Sequence, residues 1–128
     1  MSKQILDMSA KEIAHGVGSR NLSAFEVASV FLERIEEVNP VINGICTVSD
    51  TILEEARAID KRIASGDDPR PLEGVPFLIK DILQTKGVRT TFGSLLLEND
   101  VPNEDTISVE RLKEAGGILL GKTNTPEF

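Results

Sequence analysis

A lysine at the end of an apolar run is the residue of this sequence best placed to do chemistry. Lys80 directly follows residues 75–79, Val-Pro-Phe-Leu-Ile, which read as a strand buried on both faces. The carboxyl ends of parallel strands open into the crevice where such proteins bind ligands. An ammonium group in apolar surroundings loses hydration, which favours its neutral, proton-accepting form. Lys80 is therefore a candidate proton acceptor; the alternative is a lysine that reaches water or pairs with a carboxylate such as Asp81.

A second lysine completes a pattern that resembles a phosphate-binding loop. Residues 116–123 read Gly-Gly-Ile-Leu-Leu-Gly-Lys-Thr and satisfy G-x-x-x-x-G-K-[ST]. In a true P-loop a strand precedes the first glycine and a helix begins near the lysine, so that backbone amides point at the phosphates. Here a predicted helix precedes Gly116, and strand-like aliphatic residues precede Lys122. The pattern predicts a glycine-capped helix that leads into a buried strand, not a nucleotide site.

The other nucleophilic and metal-binding residue types form no recognisable set. The single histidine, His15, lies far along the chain from the single cysteine, Cys46, so we expect a solvent-facing histidine and a packed cysteine. One histidine and one cysteine do not supply the ligand spacings of known metal sites. Neither Ser94 nor Ser108 lies in a G-x-S-x-G motif or beside an obvious base. These residues predict no metal site.

Composition narrows the class of protein. The 128 residues carry 14 basic and 21 acidic side chains, a formal net charge of −7, which argues against direct nucleic-acid binding. Five phenylalanines without tryptophan or tyrosine offer no base-stacking platform. One cysteine excludes an internal disulfide and favours a reducing compartment. No apolar run is long enough for a signal peptide or a membrane span. We therefore expect a cytoplasmic protein that does not insert into a membrane.

Helix start and stop signals dominate the first half. Ser9 and Ser23 each precede a glutamate by three residues, the pattern of a capping box. The first predicts a short helix that ends near residues 16–18, and the second a helix over 24–38 that Pro40 terminates. Residues 41–48 are either extended or a connector. Asp50 is expected to cap a third helix, which Gly66 ends.

In the second half of the chain, after a proline-rich loop at residues 67–71, the spacing of the apolar residues changes. The strand over 75–79 is followed by a helix capped by Asp105, with glycines 116 and 117 at its end, and then by a buried strand at 118–120. Strand, helix, strand is the order of a right-handed βαβ unit in a parallel sheet. Because such a sheet needs more than two strands, we expect an N-terminal portion of a larger α/β domain.

Two motifs carry a resemblance to a known family. Residues 74–81 read Gly-Val-Pro-Phe-Leu-Ile-Lys-Asp and residues 121–128 read Gly-Lys-Thr-Asn-Thr-Pro-Glu-Phe. Further matching residues lie between and before them: Leu22-Ser23-Ala24, Arg34-Ile35, Asn39-Pro40, Gly93-Ser94, Asp105, Leu112 and Ala115-Gly116. Over nearly its whole length, the chain resembles the N-terminal part of the amidase signature family.

The resemblance implies a fold and a reaction. The fold is an incomplete α/β domain in which a helical lead-in, residues 1–66, precedes the start of a mixed or parallel sheet, residues 72–128, with helices on both faces. The reaction is hydrolysis of a carboxylic amide by a Ser–cis-Ser–Lys triad without a metal or cofactor. Lys80 falls on the catalytic lysine, and Asp81, Thr123 and Asn124 are candidates to support the site. The serines and the oxyanion-stabilising amides belong to a later glycine- and serine-rich segment, so the chain alone is expected to be inactive.

Alternatives remain open. An ordinary amidase acting on small amides, favoured by residues 125–128 and 92–94, competes with the A-subunit of a glutamyl-tRNA amidotransferase. The first could be a homodimer, and the second would have partner subunits. A reading of another class is a short non-catalytic protein that acts as a folding or binding partner, for example by complementing a C-terminal fragment.

Overall fold

The computed structural model describes residues 2–128, and its sheet is organised around the strand that comes last in the sequence. The strands are β1 (Ile45–Val48), β2 (Pro76–Lys80) and β3 (Ile118–Thr123), in the order β1-β3-β2. Strand β2 runs parallel to β3, whereas β1 is antiparallel to it. The βαβ prediction is confirmed, and residues 45–48 within the ambiguous stretch form a strand.

Five helices accompany these strands in the described part of the chain. They are α1 (Ser2–Leu6), α2 (Ala10–Gly18), α3 (Ala24–Ile42), α4 (Ile52–Ala64) and α5 (Ile107–Glu114), with a short 3-10 turn at Leu95–Leu97. Ser9 forms the predicted capping box with Glu12. Ser23 caps α3 through a 2.9 Å hydrogen bond from the Glu26 amide.

Three predictions about helix ends are wrong. Helix α3 does not stop before Pro40 but continues to Ile42, because a proline in the last turn removes only one of the final hydrogen bonds. Asp50 does not cap α4, since Thr51 occupies that position. Asp105 does not cap α5, since Thr106 occupies that position; its carboxylate instead accepts a hydrogen bond from the Lys86 amide.

Helices pack on both faces of the sheet, as predicted. On one face the core includes Val75, Ile118 and Leu120 with buried side chains of α1 to α4. On the other face Ile79 and Leu119 pack with Val109 of α5. The predicted burial of β2 on both faces is wrong. Ile79 is buried on one face, whereas the helices leave the opposite face incompletely covered at β2, which is an edge strand of the sheet among the described residues. Leu78 consequently keeps 39% of its surface exposed.

An irregularity in β3 decides which way the end of that strand faces. Phe77 pairs with Leu119, but Leu78 pairs with Gly121, so that β3 carries one extra residue. Such a bulge reverses the alternation of side chains beyond it. Lys122 therefore shares a face with its partner Ile79, and Thr123 shares the opposite face with its partner Lys80.

We predict that Gly121→Ala strongly destabilises the protein. A Cβ atom at this position would overlap the Thr47 carbonyl oxygen of β1. That oxygen belongs to the backbone of a paired strand, so relieving the overlap would disturb the sheet. The free energy of unfolding should fall by at least about 2–3 kcal/mol, measured by urea denaturation.

The matched control is Gly44→Ala, whose Cβ would come no closer than 3.4 Å to a neighbour. It should change stability far less. Equal stability of the two variants would contradict the close approach of β1 to β3.

Candidate active site

Lys80 is the last residue of β2 and projects from the sheet edge into solvent. Its side chain is exposed, and among residues 2–128 its ammonium group has neither an ion pair nor a hydrogen bond. Its backbone is held, because the Lys80 carbonyl accepts a 3.1 Å hydrogen bond from the Leu83 amide. The predicted desolvation of Lys80 is therefore wrong for this chain, although the predicted place at a carboxyl strand end is confirmed. The site therefore combines a backbone held by hydrogen bonds with an amine that is exposed to solvent.

The residue after Lys80 is fully buried on the opposite face of the sheet. Asp81 is 1% exposed, and its amide donates a 3.0 Å hydrogen bond to the Thr123 carbonyl. Its carboxylate accepts hydrogen bonds from the Thr91 amide, at 3.2 Å, and from the Thr91 hydroxyl. Successive residues of a strand point to opposite faces, so fixing Asp81 also fixes the direction in which Lys80 leaves the backbone.

Lys122 is the lysine that the fold desolvates. It is 0% exposed, and its Nζ donates to the Leu83 carbonyl at 2.6 Å and to the Thr90 hydroxyl at 2.8 Å. The Asp81 carboxylate lies 3.8 Å away. Burial lowers the pKa of Lys122, and the charge of Asp81 opposes this effect. The burial of Lys122 was not predicted from the sequence. The only signal for it there was the position of Gly121-Lys122 at the end of a strand-like apolar run.

This geometry agrees with the rejection of a nucleotide site. Residues 118–123 are a strand preceded by helix α5, and the ammonium group of Lys122 is enclosed by protein. No helix begins at Lys122 among the described residues, so backbone amides do not converge there on a phosphate.

The other candidate side chains do not assemble around Lys80. Asn124 is exposed, and its side-chain amide donates to the Asn43 carbonyl at 2.9 Å, which ties the chain to the turn after α3. Thr123 is opposite Lys80 in register and is the supporting candidate nearest to it in the sheet. The Ser94 hydroxyl donates to Glu127 at 3.1 Å, a partner that the sequence alone did not indicate.

The histidine and the cysteine lie in different parts of the fold. His15 is exposed on α2, as predicted. Cys46 is partly buried in β1, where its thiol donates to the Lys122 carbonyl at 3.5 Å. Burial, followed by the charge of Asp81, raises the pKa of this thiol, which disfavours the nucleophilic thiolate. Within residues 2–128 no three His, Cys, Asp or Glu side chains are grouped to hold a metal ion.

Curated relatives of the chain include A-subunits of glutamyl-tRNA(Gln) amidotransferase and an acylamidase. The A-subunit of glutamyl-tRNA(Gln) amidotransferase from Carboxydothermus hydrogenoformans is 48% identical over 122 residues, which cover 94% of this chain and 25% of the relative. An acylamidase of Rhodococcus erythropolis is 40% identical over 94% of this chain and 25% of the relative. The chain thus spans about a quarter of the length of the curated relatives it matches.

Solved structures with a similar fold include a peptide amidase and an aryl acylamidase. The native peptide amidase from Stenotrophomonas maltophilia superposes with a TM-score of 0.88 at 28% identity, over 94% of this chain and 25% of that one. A bacterial aryl acylamidase of the amidase signature family superposes with a TM-score of 0.86 at 30% identity, over 93% and 25% of the two chains. Among the described helices, none has the length and apolar character needed to cross a membrane. The sequence model of the family described as Amidase matches residues 26–128, and the chain belongs to that family.

Proposed function

We propose that this chain is the N-terminal part of an amide-hydrolysing enzyme and that Lys80 is its proton-accepting lysine. The observation that carries the proposal is the pair formed by consecutive residues at the end of β2. Asp81 is held by hydrogen bonds from the Thr91 amide and hydroxyl, while the amine of Lys80 extends into solvent. A general base requires this combination of a fixed backbone and an available proton acceptor.

The proposed reaction follows the Ser–cis-Ser–Lys scheme that the resemblance implies. Neutral Lys80 takes the proton of the nucleophilic serine through the bridging serine, and the serine oxygen bonds to the amide carbon. Lys80 returns that proton to the leaving nitrogen as the carbon–nitrogen bond breaks, which leaves an acyl-enzyme. Water, or another acceptor, then releases the acyl group. Both serines would come from the part of the enzyme that this chain does not contain.

That remaining part would also change the surroundings of Lys80. Covering the open edge of β2 would remove water from the amine and favour its neutral form. Thr123 would line the same face of the sheet, whereas Asp81 and Asn124 would support the site by holding the backbone. Residues 1–66 and 72–128 would then be the helical lead-in and the first core elements of one amidase domain.

We predict that the purified 128-residue chain shows no amide hydrolysis. The test measures release of p-nitroaniline from p-nitroacetanilide and of ammonia from L-glutamine. A fluorophosphonate probe, which labels activated serines, should leave the chain unlabelled but label the complete enzyme, meaning this chain joined to or mixed with the serine-bearing part. Turnover by the chain alone that Lys80→Ala abolishes would contradict the placement of the nucleophile elsewhere.

The amidotransferase alternative is favoured by the 48% identity to a protein of that name. In that case the complete enzyme would release ammonia from L-glutamine and would co-purify with partner subunits and transfer RNA. An ordinary amidase would cleave small amides without partners, as a monomer or homodimer. Either enzyme would be cytoplasmic, consistent with the single cysteine. A stop codon after residue 128 would instead favour the non-catalytic binding partner.

A further inference from the structure

A buried polar network lies on the far side of the sheet from the proposed base. It consists of Asp81, Lys122, Thr90, Thr91 and the Leu83 carbonyl, and each of its side chains is at least nine-tenths buried. The network joins the end of β2 to β3 and to the loop that returns over both. All three of these segments therefore meet one residue away from Lys80.

Stability alone is a poor reason for such a network. Withdrawing an ammonium and a carboxylate from water is unfavourable for each ion, and hydrophobic side chains of similar volume often stabilise a protein at least as well. The bulge at Leu120 and Gly121 turns Lys122 onto this face; with regular alternation it would lie on the face of Lys80. The bulge thus places the ammonium group of Lys122 in the protein interior, where burying a charge is unfavourable.

What the network does control is the direction of one strand end. Among the described residues, β2 pairs with β3 along one edge and has no strand along its other edge. The position of its last residues therefore depends on β3 and on the side chains of the network. The Lys122 ammonium fixes the returning loop through Leu83 and Thr90. Thr91 of the same loop fixes Asp81.

We propose that Lys122 is a positioning residue that acts, through Thr90 and Asp81, on the orientation of Lys80. This inference rests on the proposed function, because it assumes that Lys80 is the base. Lys122 does not touch the reacting atoms, since it lies on the opposite face of the sheet. Misplacing a catalytic group by about 1 Å can cost about 10²-fold in rate, and this gives the scale of the expected effect.

The test uses the complete enzyme and counts only competent active sites. Fluorophosphonate labelling carried to completion gives the concentration of competent sites, and turnover is measured on p-nitroacetanilide or L-glutamine, whichever the enzyme cleaves. Lys122→Met should lower kcat per labelled site by about 10²-fold with little change in KM. Thr90→Val removes one hydrogen-bond partner of the ammonium at constant volume and should lower kcat per site by about tenfold. The matched control Thr90→Ser keeps the hydroxyl and should restore kcat.

The outcomes separate a positioning role from a structural one. If Thr90→Val and Lys122→Met lower thermal stability or the number of labelled sites but leave kcat per site unchanged, the inference is overturned. If Lys122→Met does not fold, the comparison of Thr90→Val with Thr90→Ser decides in the same way. Full activity of Lys80→Ala would refute the proposed function itself, whereas an inactive Lys80→Ala beside a fully active Thr90→Val refutes only the positioning role.

Discussion

The complete enzyme with Lys80→Ala is expected to hydrolyse amides at least about 10³-fold more slowly than the parent enzyme. The reason is that the substitution removes the group proposed to accept the proton of the nucleophilic serine, and alanine cannot replace it. Folding should be unaffected, since the Lys80 side chain is exposed and has no hydrogen bond or ion pair among residues 2–128. The measurement is kcat/KM with thermal unfolding recorded in parallel.

Two further variants make this experiment specific. Lys80→Arg keeps the positive charge but cannot become neutral at ordinary pH, so it should be as inactive as the alanine variant. Lys86→Ala removes another exposed lysine and should retain full activity. Substantial hydrolysis by Lys80→Ala would leave Lys80 as a solvent-exposed residue at a strand end and would require a different base.

The second large effect is expected at Glu73, whose carboxylate is 0% exposed. It forms ion pairs with Arg62 of α4 and with Arg70, and it accepts a 2.7 Å hydrogen bond from the Arg70 amide. The substitution Glu73→Gln leaves Arg70 without its counter-charge and leaves Arg62 with only the carboxylate of Asp67, which lies 4.0 Å away. We predict a loss of about 2–4 kcal/mol in the free energy of unfolding at pH 7, somewhat reduced because both arginines reach water.

The same carboxylate predicts how stability depends on pH. Burial raises the pKa of Glu73, but the hydrogen bonds from Arg70 and Arg62 outweigh it and hold the pKa below its ordinary value of 4.5. The unfolded chain therefore binds the proton first as pH falls, so stability is present above about pH 4.5 and is lost as pH falls through the lower native pKa. Below that range the difference between the parent protein and Glu73→Gln should shrink.

Urea denaturation at several pH values tests both statements. Glu33→Gln, at an exposed position on α3, is the matched control and should change stability by less than about 0.5 kcal/mol. A Glu73→Gln protein as stable as the parent at pH 7 would contradict the importance of the buried carboxylate.

Local patterns predicted those elements whose signals lie within a few residues of one another. The capping serine at Ser9 and the apolar runs around Phe77 and Leu119 needed only neighbouring side chains, and the structure agrees with them. Thr51, and not Asp50, occupies the N-cap position of α4, because helix ends depend on tertiary packing to within a residue or two.

The contacts that shape the site are of another kind. Pairing of Thr47 with Lys122, and of Asp81 with the loop at Thr91, depends on where distant segments meet. The bulge that moves Lys122 to the other face of the sheet cannot be recognised from the spacing of residues in the sequence. The exposure of Lys80 is consequently the opposite of what its apolar strand predicts, and the full burial of Lys122 has no counterpart among the predictions.

The position of β3 in the sheet also sets an order of events during synthesis. Strands β1 and β2 each pair with β3 and not with one another, so neither has a partner until residues 118–123 have left the ribosome. Roughly 40 residues separate the end of β2 from that point, which corresponds to about two to eight seconds at ordinary translation rates. During that interval the nascent chain exposes two unpaired strands. Helices α3 and α4, which are connected by hydrogen bonds to the Asp60 carboxylate, are the part that can already pack.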